Sequence, residues 1–121
     1  MTDRILELGG AAVLVCAPDG PPLAGDREAS DILGEAIGAG VRAVAIPVER
    51  LPPAFLDLKT RLAGEVLQKF VNYDLRVAIV GDVSAAVARS QALRDFVRES
   101  NRGRSVWFVQ DLSALEAKLS A

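Results

Sequence analysis

The sequence predicts an α/β domain built on a mostly parallel five-stranded sheet, with an antiparallel N-terminal hairpin strand and four helices. Three observations lead there. Short apolar, β-branched runs alternate with stretches whose apolar residues recur at helical spacing, the pattern of strands joined by crossover helices. The first two runs are separated only by Gly9-Gly10, a two-residue hairpin signal. The chain has 121 residues, 50% apolar and 25% charged. That length suits one domain over 1–121 and buries roughly two thirds of the unfolded surface.

Ile5–Leu8 and Ala11–Ala17 form the hairpin strands. Pro18–Gly25 is a Pro/Gly-rich loop. Asp26 offers an N-cap, and Ala29, Ile32, Leu33, Ala36 and Ile37 form the first helical stripe, closed by Gly38 and Gly40. Val41–Val48 is the third strand, continuous enough in apolar residues for burial on both faces. Pro52-Pro53 breaks the chain. The longest helix is expected from about Asp57 to Tyr73, with Leu58, Leu62, Val66, Phe70 and Tyr73 inward. Glu65 and Lys69 are spaced for an ion pair along it. Leu75–Val80 is the fourth strand. Ser90 caps a third helix carrying Leu93, Phe96 and Val97, ended by Asn101-Arg102-Gly103. Val106–Val109 is the fifth strand, and a capping box at Ser113 and Glu116 opens the last helix. The order is ββαβαβαβα.

Composition narrows the function classes. Fourteen basic residues against sixteen acidic give a net charge of −2, which argues against nucleic acid as a partner. There is no histidine, so Ser-His-Asp and Cys-His chemistry is absent. Cys16 is the one cysteine, set in an apolar run and reading as a small buried hydrophobe. No targeting signal and no membrane span is read, so a cytoplasmic protein is expected.

Several segments carry a family resemblance. Phe55-Leu-Asp-Leu-Lys-Thr60, Leu62-Ala-Gly-Glu65, Leu67-Gln-Lys-Phe-Val-Asn-Tyr73, Ala78-Ile-Val-Gly-Asp82, Leu93-Arg-Asp-Phe96 and Glu99-Ser-Asn-Arg-Gly103 closely resemble a bacterial family known as a domain of unknown function, DUF4180. It implies no activity. The element order also resembles the STAS (SpoIIAA-like) domain of anti-sigma-factor antagonists. There, Phe55-Leu56-Asp57 is similar to a Phe-Met-Asp-Ser-Ser-Gly segment whose serine is phosphorylated. This chain continues Leu58-Lys59-Thr60, so no serine stands at that position and Thr60 is the nearest hydroxyl.

Two readings of function follow. The first is a non-catalytic regulatory or protein-interaction module, without cofactor, that binds a protein partner or a second copy of itself. Its surface is the turn at Asp57, Lys59, Thr60 and Arg61 with the strand-end residues Glu49, Arg50, Gly81 and Asp82. Asp57 as N-cap would leave backbone N–H groups free for an anion, with Lys59 and Arg61 beside it. The second is a small-ligand or Mg²⁺ site built from Asp19, Glu49, Asp82 and Asp111, acidic residues that each follow a strand. Those same aspartates also suit helix starts and turns.

Overall fold

A computed structural model describes residues 3–121, so Met1 and Thr2 of the charged N-terminus lie outside it. Its sheet holds β1 (Arg4–Leu8), β2 (Ala11–Val15), β3 (Ala43–Pro47), β4 (Arg76–Val80) and β5 (Val106–Val109). They lie side by side in sequence order. β1 runs antiparallel to β2 with Leu8 opposite Ala11 across the Gly9-Gly10 turn, and the other three pairings are parallel. The predicted α/β class and hairpin are both present. Burial decides the register: Leu14, Val44, Val77 and Phe108 face one way, and Val13, Ala43, Ala78 and Trp107 the other.

Among the described residues, six α-helices flank the sheet: α1 (Asp26–Ala39), α2 (Pro53–Leu56), α3 (Leu62–Asn72), α4 (Ser84–Arg89), α5 (Gln91–Arg102) and α6 (Leu112–Ser120). Because each crossover steps one strand further in the same direction, crossovers of one hand put their helices on one face. That face carries the larger core. Ala29, Ile32, Leu33 and Ala36 of α1 and Ala63, Val66, Leu67 and Phe70 of α3 meet Leu14, Val44, Ile46, Val77 and Ile79. Phe96 of α5 meets Phe108 edge-on, centroids 5.9 Å apart. Among the described residues, the opposite face is covered by α6 alone, through Leu115 and Leu119 on Val13, Ala43, Ala45, Ala78 and Trp107.

The helices depart from those that the periodicity predicts. The expected Asp57–Tyr73 helix is broken into α2, a 3₁₀ turn over Leu58–Thr60, and α3. At 14 residues α1, not that helix, is the longest. α4 was not expected. Ser90 does cap α5, accepting from the Leu93 N–H at 3.1 Å. Asp111, not Ser113, caps α6. Asp26 lies inside α1 after Gly25, and its carboxylate takes Lys69 Nζ at 2.8 Å, tying α1 to α3 in place of the expected Glu65–Lys69 pair. Leu62 and Phe96 are half-buried, while Ile37 and Tyr73 are over half exposed, so the apolar stripes are narrower than read. Val15 ends β2, and Cys16 follows it with its N–H still on the Ala45 carbonyl.

Asn101 has a second task. Odd-numbered positions along β5 and the residue before it face β4: the Ser105 carbonyl accepts from Val77, and the Val109 carbonyl from Gly81, just past β4. Phe108 therefore points its N–H and carbonyl out of the sheet edge, and the Asn101 side chain takes both, at 2.8 and 3.2 Å. Lys118 of α6 donates to the Asn101 carbonyl at 2.9 Å, near the C-terminal end of α5 where a cation is favoured. Among the described residues, no helix is long and apolar enough to cross a membrane.

Phe70 is fully buried, so Phe70→Ala should cost about 3–5 kcal/mol in urea denaturation; a loss below about 1 kcal/mol would contradict its place in the core. The Lys69 ammonium, by hydrogen bond first and by charge second, holds the Asp26 carboxyl below the usual range. Such a group stabilises the fold above its unfolded pKa and loses that contribution as pH falls through the folded one. Asp26→Asn should therefore reduce the fall in Tm between about pH 6 and pH 3 at low salt, with the difference fading in about 1 M salt.

Candidate functional site

The C-terminal ends of β2, β3, β4 and β5 open on one rim, where ligands of parallel sheets are met. A cleft of about 860 Å³ runs along it, lined by Pro18, Pro47, Val48, Glu49, Val80, Gly81, Asp82, Gln110, Asp111, Leu112 and Ser113. The chain enters the cleft through residues that cannot easily be exchanged. Gly81 has a φ of 138°, and a Cβ there would come within 2.5 Å of the Val48 side chain. The close approach of Val48 to the Gly81 backbone shapes the cleft between β3 and β4.

Three carboxylates line this cleft, and two already hold backbone groups. Asp82 accepts the Ser84 N–H at 2.8 Å, and Ser84, through side chain and then backbone, holds its carboxyl below the usual range. Asp111 accepts the Ala114 N–H at 2.9 Å. Both thus follow the turn and helix-start roles that the sequence also allowed. Glu49 is exposed on a 3₁₀ turn, Val48–Arg50. Asp19 is not among the lining residues. Among the described residues, no three Cys, Asp or Glu side chains group closely enough to hold a metal ion. The expected Mg²⁺ reading therefore finds no ligand set at this rim.

Beside the cleft, on the face that α6 covers, is an apolar notch of about 170 Å³. Val15, Cys16, Pro18, Ala45, Pro47, Val80 and Leu112 line it. Pro18, Pro47, Val80 and Leu112 belong to both hollows, so the two are continuous. The Cys16 thiol is not a nucleophile here: burial, with the Asp3 charge adding to it, pushes it up to about 12. The notch was not read from the sequence. Its walls are brought together from four separate segments, and the only local signal was the run of small residues in β3.

Arg50 departs from the expected surface role. It is 5% exposed, the one buried charged residue among those described. Its Nε donates to the Pro21 carbonyl at 2.7 Å and its Nη1 to the Ala17 carbonyl at 3.0 Å. Gly20 makes room for it, since a Cβ there would stand 2.5 Å from Nη1. The guanidinium also borders a hollow of about 170 Å³ with Asp3, Glu28, Asp31 and Glu35, whose charge offsets its burial. There the hydrogen bond with Asp3, followed by burial and by Asp3's charge, raises the Glu35 carboxyl above its ordinary value.

The Asp57 turn lies outside the cleft. Asp57 does not cap the long helix; it accepts the Lys59 N–H at 3.2 Å and caps the 3₁₀ turn. Thr60 Oγ1 donates toward the Ala54 and Asp57 carbonyls, 2.6 and 2.8 Å away, and accepts the Leu62 N–H at 3.2 Å. Arg61 then takes a left-handed φ of 65°, which swings the chain into α3. The hydroxyl and that reversal replace the continuous helix. Lys59, Thr60 and Arg61 are exposed and are not among the residues that line the cleft with Glu49, Gly81 and Asp82.

The family described as a domain of unknown function (DUF4180) matches residues 8–119. No curated protein and no solved structure matches the chain.

Arg50→Met should cost about 1–3 kcal/mol in urea denaturation, because the buried Ala17 carbonyl and the part-buried Pro21 carbonyl lose a charged donor. Lys59→Ala should stay within about 0.5 kcal/mol of the parent. Equal small effects from both would show that Arg50 does not hold the loop.

Proposed function

Because the chain belongs to the DUF4180 family, whose function is unknown, we propose from its own geometry that it is a non-catalytic interaction module of the cytoplasm. The observation that carries this reading is the continuous cleft and notch at the strand ends. It offers shape and charge but few reactive groups. Two of its three carboxylates are committed to backbone N–H groups, its thiol is held protonated, and the sequence has no histidine. A regulatory role of STAS type is supported by the element order, with a hairpin strand leading four parallel strands. A phosphate switch at Thr60 would work differently here, since esterifying that hydroxyl removes the hydrogen it donates to the turn.

A second reading, a small-molecule site, is favoured by the cleft's ligand-sized volume. Photocrosslinking in the native cytoplasm separates the two. A benzophenone amino acid at position 49 should give one discrete protein adduct, and the same group at position 27, exposed on α1, should not. The same pattern from both positions, or none from 49, would overturn the protein-docking reading.

A further inference from the structure

Resting on that docking reading, we propose that the occupant of the rim is a polypeptide segment that presents one large aliphatic or aromatic side chain next to a lysine or arginine. The apolar side chain seats in the notch between Val15, Ala45, Val80 and Leu112, and the cation lies in the adjoining cleft, whose wall carries Glu49, Asp82 and Asp111.

Two independent features lead to this chemistry. The first is size and polarity. An apolar cavity of about 150 Å³ accepts a benzene-sized group; the notch has about 170 Å³ and walls of valine, alanine, proline and leucine. It takes a single leucine or phenylalanine side chain and offers such a group no charge to desolvate. The second is sign. Among the described residues, no lysine or arginine lines either hollow, while three carboxylates line the cleft into which the notch opens. Their hydrogen bonds to Ser84 and Ala114 fix the Asp82 and Asp111 side chains without neutralising them. A fatty acid, a nucleotide or an acidic peptide would meet repulsion here. A basic group beside the apolar anchor instead meets complementary charge, which governs partner choice and association rate more than bare affinity.

The geometry also fixes the spacing. The shared walls Pro18, Pro47, Val80 and Leu112 place the apolar and acidic hollows side by side, so anchor and cation must be neighbours in the partner.

The test uses the full ¹⁵N-labelled chain and three capped tripeptides: acetyl-Arg-Leu-Arg-amide, acetyl-Glu-Leu-Glu-amide and acetyl-Arg-Ala-Arg-amide. The first should shift the amide signals of Val15, Ala45, Val80 and Leu112, and bind at least about tenfold more tightly than either of the others, a difference of about 1.4 kcal/mol. Glu49→Lys, an exposed change that leaves the spectrum's dispersion intact, should weaken it several-fold. No shift at the notch, or equal binding of the Glu-Leu-Glu peptide, overturns the proposal. Self-association abolished by Glu49→Lys overturns it too, by making a second copy the occupant. If position 49 crosslinks a protein while no tripeptide binds, rim docking stands and only the peptide chemistry is wrong. If neither occurs, both readings fail.

Discussion

Arg50 is the interaction on which the arrangement of the strand ends depends. A guanidinium taken out of water must find acceptors and counter-charge, or its burial is strongly unfavourable. Here it finds the carbonyls of Ala17 and Pro21, and the Leu23 N–H returns to Arg50's own carbonyl at 2.7 Å. Three bonds thus fasten the segment after β2 to the turn after β3. That segment is rich in proline and glycine, and Leu23 is the one large side chain by which it is seated in the core. Pro18, a wall of both rim hollows, is held where it is through this residue. A charge that reads as a surface feature is in effect the internal strut of the site.

The rest of the site follows from an imbalance between the two sheet faces. Crossovers that advance one strand at a time load α1, α3 and α5 onto one side, and only the C-terminal helix is left for the other. The side left to α6 is surfaced by Ala43, Ala45 and Ala78, small residues against which Leu115 and Leu119 pack. Beyond them, Val15, Val80 and Leu112 wall the notch together with the loop residue Pro18.

The legible parts of the fold are those decided by local pattern. The Gly9-Gly10 hairpin, the five apolar strands and the Ser90 cap needed only neighbours in sequence. What escaped was decided at a distance. Leu58 and Leu62 keep helical spacing, so periodicity runs straight through a place where the Thr60 hydroxyl takes the Ala54 and Asp57 carbonyls and Arg61 reverses the chain. Nothing near Arg50 in sequence announces that Ala17 and Pro21, some thirty residues earlier, will enclose it. Of the expected site, Glu49, Gly81 and Asp82 come together because each follows a parallel strand. Asp57, Lys59, Thr60 and Arg61 do not line that cleft; they sit in the break before α3. The apolar notch was invisible because its walls share no motif.

The Asn101 carboxamide on Phe108 bears on how the molecule behaves in a crowd. An exposed strand edge is a template on which another chain can lay a strand, the elementary step of aggregation. At β5 that template is blunted: an arriving strand must first evict an amide that already satisfies both outward groups of Phe108. The carbonyl of the same asparagine is occupied by Lys118, so eviction would also loosen α6. At Phe108 the edge is therefore closed by one side chain, and replacing Asn101 with an apolar residue would open both of those outward groups to an arriving strand.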